Sequence, residues 1–314
     1  MAELHGKVAL VSGASSGIGA TAAVALAQEG MDVALLARNR KGLERVAQQV
    51  REAGRQALVL VCDVTDQDAV NGAIARTEEH LGGLDLLVSN HAAVVFGRFD
   101  RVGKEDFDRT LDVTFTGAVN LIRASLPALH RSEGDIVVVG SIMTKVPLPS
   151  YSSYAASKHA LRGFLGSLRV ELKSARSPVR VSLVNPGAVD TPLWDHTTSA
   201  QGKRSNKPPD SYKPEVVADA IVHCAKHPHE ELDVGSHVVA LGLLWTVARP
   251  VGELVLTLAH RFYQAGKHEY EGGGSLWDAV GVGGVSSETM SGRPSLSMPL
   301  RYAIEAPIRV LTGR

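Results

Sequence analysis

The sequence predicts an α/β protein whose core is a doubly wound parallel sheet. Short, continuous Val/Leu/Ala runs alternate with stretches of helix length, and a glycine-rich turn joins the first run to the first helix. The chain also carries 31 glycines and only 5% aromatic residues, a mix suited to tight turns and close helix packing. Strands buried on both faces read as unbroken apolar runs. Their alternation with helices makes βαβ units, which cross over right-handedly.

KVALVS at 7–12 is the first strand, and 18–29 reads as the first helix. Strands at 33–37, 57–61 and 84–88 follow, separated by helices over 41–53 and 69–81. A long helix over 106–129 leads to a fifth strand at 136–139. Next come a helix over 154–174, a sixth strand at 179–184 and a helix over 214–226. Residues 197–212 (TTSAQGKRSNKPPDSY) are polar, with Gly and a Pro pair, and are expected to be a mobile loop. The alternation stops after Val234, so 1–234 is read as the main domain and 235–314 as a C-terminal extension. Within the extension, 238–259 is strongly apolar but interrupted by Arg249, Pro250 and Glu253. A bilayer span needs about 20 residues with few charges, so two short helices packed on the domain or on a partner chain are expected. Residues 272–299 are rich in Gly and Ser and read as loop, with a final amphipathic helix at 300–311.

Lys plus Arg (33) balance Asp plus Glu (33) without a basic stripe, which argues against a nucleic-acid partner. Two cysteines, Cys62 and Cys224, permit neither a disulfide framework nor a four-cysteine zinc site. The first eleven residues contain His5 and Lys7 and no apolar run of signal-peptide length, so a cytoplasmic, reducing compartment is expected. HPHEE at 227–231 suggests a metal, but Pro228 breaks the helical spacing of His227 and His229. A surface loop and no metal are expected there.

Gly13, Gly17 and Gly19 sit in SGASSGIG, after the first strand and opening the first helix. Such glycines allow a tight turn and a close approach of the backbone to a pyrophosphate, which the N–H groups of the helix N-terminus hold. A dinucleotide site of the Rossmann type is expected here, with Ser15, Ser16 and Ile18 counted with it; the alternative is a turn that merely requires glycine. Tyr154 and Lys158, four apart, share a helix face. A tyrosine is a poor base near neutrality, and an adjacent ammonium lowers its pKa. Ser141 follows the fifth strand, at the carboxyl end where such sheets bind ligands.

Taken together these features resemble the short-chain dehydrogenase/reductase family, over about residues 7–234. The resemblance implies catalytic roles for Ser141, Tyr154 and Lys158 and hydride transfer between a nicotinamide and a carbonyl or alcohol carbon. Tyr154 would exchange the proton, Ser141 would hold the substrate oxygen, and Lys158 would tune Tyr154 and bind the nicotinamide ribose. VNPGAVDT at 184–191 corresponds to the segment that meets the nicotinamide carboxamide, here Pro186, Gly187, Val189 and Thr191. Asp63 and Val64 match the pair that meets the adenine, and Asn90 lies in the stretch after the fourth strand. Relatives assemble as homo-oligomers through the two long helices.

At the end of the second strand, where NAD-preferring members carry an acid, stands Ala37, followed by Arg38. Arg38 can pair with a 2′-phosphate, so NADP(H) is preferred over NAD(H). Two departures stand out. Ser89-Asn90-His91-Ala92 replaces Asn-Asn-Ala-Gly, and Thr114 stands where relatives have a catalytic Asn. Leu193, Trp194 and His196 fall where relatives carry a substrate lid; Tyr151 lacks a lysine four residues on. The expected function is an NADP(H)-dependent oxidoreductase acting on a carbonyl or secondary alcohol of moderate size. The alternatives are a nucleotide-binding sensor without turnover and an enzyme attached to a membrane surface.

Overall fold

The computed structural model describes residues 4–202, 205, 207, 208, 211–263 and 276–278. In chain order the first half comprises β1 (Val8–Ser12), α1 (Gly17–Gln28), β2 (Asp32–Ala37), α2 (Arg40–Glu52), β3 (Ala57–Val61), α3 (Gln67–Leu81), β4 (Leu86–Ser89), β5 (Val95–Phe96), α4 (Lys104–Leu111) and α5 (Gly117–Ser132). The second half comprises β6 (Asp135–Val139), α6 (Ser152–Ser174), β7 (Arg180–Pro186), β8 (Thr198–Ser199), α7 (Pro214–Lys226), β9 (Glu231–Val234), α8 (Ser236–Val247) and α9 (Arg249–Tyr263). Seven strands form one parallel sheet in the order β3-β2-β1-β4-β6-β7-β9. The order turns back between β1 and β4, where Leu10 pairs with Leu87, and such a reversal opens a ligand crevice at the strands' carboxyl ends.

The unbroken apolar runs are explained by helices on both faces. Leu10, Leu87 and Ile136 point into one core with α3, α5 and α6, while Ala9, Val11 and Leu35 point into the other with α1, α2 and α7. Local chemistry sets the helix starts. Asn39 accepts from Gly42 N at 3.1 Å to cap α2, and Asp66 accepts from Asp68 N and Ala69 N, both at 3.0 Å, to cap α3. Pro214, which has no N–H to satisfy, opens α7.

Three expectations need correction. The helix expected over 106–129 is divided: a π turn over 112–116 separates α4 from α5. The turn carries Thr114 inward, where its hydroxyl donates to the Ala93 carbonyl at 3.1 Å and accepts from Ala93 N at 3.0 Å. Residues 227–230 of HPHEE form the loop expected, but a strand that was not expected follows it: Glu231 begins β9, the sheet's seventh strand. Its half-buried acids, Glu231 and Asp233, are held by Lys145 at 3.1 and 2.7 Å. His223 and His229 contact each other at 2.9 Å, and no metal-ligating group of three occurs among the described residues. Finally, the segment read as a mobile loop over 197–212 is tied down in part. β8 pairs with β5, Tyr212 bridges Val189, and Lys207 meets buried Asp190 at 2.8 Å.

The extension forms the two helices expected, α8 and α9. Val238 of α8 and Leu256 of α9 are buried in one cluster with Val94, Phe96, Met143 and Tyr154. On the outer side Leu243, Val247 and Leu254 are 62%, 76% and 59% exposed. No described helix is long and apolar enough to cross a membrane. Apart from 276–278, the loop expected at 272–299 lies outside the described residues, as does the helix expected at 300–311.

Candidate active site

A cleft of about 340 Å³ runs along the carboxyl ends of β1, β4, β6 and β7. At its phosphate end Gly13 has φ +65°, a left-handed value that glycine adopts without strain. Gly17 lines the cleft with Ser15, Ser16 and Ile18. Gly19 does not; it acts from behind. A Cβ there would lie 2.3 Å from the Gly13 carbonyl oxygen and 2.6 Å from Asn90 Nδ2. The first turn of α1 has no acidic residue, and the side chain of its N-cap, Ser16, makes no capping bond. Its N–H groups and positive end therefore suit a phosphate. Ser12 couples β1 to the next strand, accepting from Asn90 N at 3.0 Å. This hydroxyl ties the Ser89–Ala92 stretch to β1.

At the other end stand the three residues expected to be catalytic. β6 delivers Ser141, whose hydroxyl accepts from Met143 N at 3.1 Å and is hydrogen-bonded to Tyr154. Tyr154 and Lys158, on α6, are 7% and 2% exposed. Lys158 Nζ donates to the Val139 carbonyl at 2.8 Å and lies 5.5 Å from the centre of the Tyr154 ring. The electrostatics differ from the expected lysine-lowered phenol. Burial holds Tyr154 above its ordinary value against the Ser141 hydrogen bond, which pulls down. Burial also lowers Lys158 to about 7, which weakens it as a fixed cation near neutrality. Beside them His91 Nδ1 lies 2.8 Å from Ser12 Oγ. Burial, then the charge of Lys158, holds the His91 ring neutral down to about 3.

Pro186, Gly187, Val189 and Thr191 line the wall after β7, and Asn90 lines the floor. Leu193, Trp194 and His196 also face the cleft, with Met143, Leu148 and Tyr151 opposite, so the reacting end is largely apolar. Tyr151 and Met143 were not counted as site residues from the sequence. Their signal was position alone, one beside the Tyr-x-x-x-Lys pair and one beside Ser141. Thr114 is not among the lining residues, and the Ala93 main chain engages its hydroxyl as donor and acceptor. It fixes the loop after β4.

Arg38, Asp63 and Val64 meet in the same cleft, near the glycine turn. No acid follows β2 in sequence, yet the fold brings Asp63 Oδ2 to 3.9 Å from Arg38 Nη1. Asp63 also accepts from Thr65 Oγ1 at 2.8 Å and Arg109 Nη2 at 2.5 Å; these bonds outweigh burial and hold its carboxyl below the ordinary range. The glycine cradle, the open first turn of α1 and the basic side chain beyond β2 fit a dinucleotide.

Residues 7–202 match the family model described as short chain dehydrogenase. An uncharacterized oxidoreductase of Bacillus subtilis, YxnA, is 34% identical over 245 residues, covering 77% of this chain and 69% of that protein. An alcohol dehydrogenase from the archaeon Thermococcus sibiricus, solved with 5-hydroxy-NADP, superposes with a TM-score of 0.65 at 29% identity, covering 72% of this chain and 95% of that one. A short chain dehydrogenase from Mycobacterium paratuberculosis bound to NAD gives 0.65 at 25% identity, over 74% and 97% of the two chains. The chain belongs to the short-chain dehydrogenase/reductase family of oxidoreductases.

Proposed function

We propose that the protein reduces a carbonyl of moderate size, and oxidises the corresponding alcohol, with NADP(H) preferred over NAD(H). The observation that carries this reading is the meeting of Ser141, Tyr154 and Lys158 at one end of a cleft that has Arg38 at the other. When bound, the dinucleotide supplies the hydride for reduction or accepts it in oxidation. Ser141 holds the substrate oxygen, and the Tyr154 hydroxyl gives its proton to the alkoxide that forms there. A phenol that burial keeps protonated is suited to giving a proton, which favours reduction. Lys158, buried against Val139, positions the nicotinamide ribose and the tyrosine ring. The apolar wall of Leu193, Trp194, Leu148 and Met143 supports an apolar substrate face. Arg38 receives the 2′-phosphate. Assembly as a homo-oligomer through α5 and α6, in a reducing compartment, belongs to the same reading.

A catalytically silent nucleotide sensor is the second reading. It is favoured by Thr114, which stands at the position of a family Asn and gives its hydroxyl to main-chain bonds. Titration with NADPH and NADH, followed by turnover against ketones, aldehydes and quinones, separates the two. NADPH binding with turnover that collapses in Tyr154→Phe supports the enzyme. Tight binding without turnover across the panel supports the sensor. Binding of neither nucleotide rejects both.

A further inference from the structure

Residues 276–278 come from the far end of the chain, yet they are seated at the adenosine end of the cleft. Leu276 is 1% exposed and lies in the core cluster with Cys62, Val64 and Val113. The Trp277 indole N–H donates to Asp106 Oδ1 at 2.9 Å, and its ring centre lies 5.6 Å from the Arg109 guanidinium carbon. Arg109, which already holds Asp63, donates from Nε to the Leu276 carbonyl at 3.3 Å. Arg38 Nη1 donates to the Trp277 carbonyl at 2.8 Å and approaches the Leu276 carbonyl at 3.5 Å. The guanidinium assigned above to the 2′-phosphate is thus engaged by main-chain oxygens of the extension.

The charges point the same way. Burial, Asp63, Arg109 and Asp278, in that order, govern the Arg38 guanidinium, and the two acids are attractive to it. A 2′-phosphate brought to Arg38 meets Asp63, Asp278 and two carbonyl dipoles, all of the wrong sign for it. A ribose 2′-hydroxyl carries no charge and meets no such opposition. Carbonyl oxygens and phosphate oxygens are alternative acceptors for the same N–H groups.

We propose that 276–278 is a specificity-determining strap of the nucleotide site, competing with the 2′-phosphate for Arg38. A ligand that carries this phosphate binds with release of the strap; one with a 2′-hydroxyl binds with the strap in place. The segment thereby sets the ratio of NADP(H) to NAD(H) affinity without lying near the reacting atoms. The proposal rests on the assignment of Arg38 to the 2′-phosphate.

The test uses the full chain and two fragments, 2′,5′-ADP and 5′-AMP, that report only on the adenosine end. Calorimetry on wild type, Leu276→Asn and Arg38→Ala is paired with amide hydrogen exchange over 276–278 in wild type. Burying an amide at 276 among apolar side chains is unfavourable and adds no charge beside Arg38, so Leu276→Asn unseats the strap. It is expected to tighten 2′,5′-ADP about tenfold, the worth of roughly one charge-assisted hydrogen bond, with 5′-AMP within about twofold. In wild type, 2′,5′-ADP speeds exchange over 276–278 and 5′-AMP does not. The exchange arm stands even if Leu276→Asn fails to fold. Arg38→Ala weakens 2′,5′-ADP if the arginine reading is right, and no weakening overturns that reading. Weakening there, with unchanged exchange and no gain in Leu276→Asn, overturns the strap alone.

Discussion

Gly19→Ala tests the nucleotide cradle more directly than any change at the cleft surface, because Gly19 touches no ligand in this reading. Its added Cβ would lie 2.3 Å from the Gly13 carbonyl oxygen. The neighbour is main chain, so no side-chain rotation relieves the contact. Gly13 itself is confined, since a Cβ built on it would already lie 3.0 Å from Asn90 Nδ2 and His91 Cα. The Gly13 turn must therefore retreat by the better part of an ångström, taking the phosphate-binding backbone with it. Overpacking of this kind costs about 1–3 kcal/mol. For a domain of this size each kcal/mol lowers Tm by about 2–4 °C, so a fall of about 2–12 °C is expected. ADP affinity, read by calorimetry, is expected to drop about tenfold or more. Gly72→Ala is the control: it lies within α3, its Cβ meets nothing within 4 Å, and it is expected to gain up to about 1 kcal/mol. Gly19→Ala with wild-type Tm and ADP affinity within about twofold would refute the close-approach reasoning.

Tyr154→Phe is expected to lower turnover about 10²–10⁴-fold while NADPH affinity stays within about twofold, as steady-state rates and fluorescence titration would report. Lys158 gives a pH signature. Its folded pKa is lowered to about 7, so between there and its ordinary range the unfolded chain holds a proton that the folded chain lacks. Its contribution to stability rises with pH across that window, by at most about 1.4 kcal/mol per unit. Denaturation midpoints from pH 7 to 9 should show Lys158→Met more stable than wild type at pH 7, with the gap narrowing as pH rises. A constant gap would count against it. Lys207→Met leaves Asp190, 1% exposed, without its ammonium and is expected to cost about 3–5 kcal/mol in denaturant unfolding. A loss under about 1 kcal/mol would show that the pair does not hold the 205–212 segment.

The sheet and most of its helices were legible because their signals are local. Continuous apolar runs mark strands covered on both faces, and the SGASSGIG turn combines glycines with strand and helix context. β9 was hidden because Glu231 and Asp233 break the apolar run, and only the fold supplies Lys145 to accommodate them. The π turn was invisible because the contact that goes with it, a hydroxyl binding the Ala93 main chain twenty-one residues away in sequence, is tertiary. At the site, Ser141, Tyr154 and Lys158 were readable as residue types at a spacing. The lowering of the Lys158 pKa was not, since it depends on how little water reaches the side chain. The acid beside Arg38 was missed because its approach is tertiary: Asp63 arrives from the end of neighbouring β3 rather than from the end of β2.

The shared burial of Val238 and Leu256 with Tyr151 and Tyr154 bears on how this chain can vary. The extension and Tyr154 are packed into one another, so a substitution in α8 or α9 reaches Tyr154 through the core, with no need to touch a substrate. Loss of the two helices would not leave a trimmed enzyme with its chemistry untouched. It would strip Val238 and Leu256 from the cluster in which Tyr154 is buried. Tail and tyrosine are therefore constrained to change together, as if they were a single inherited unit.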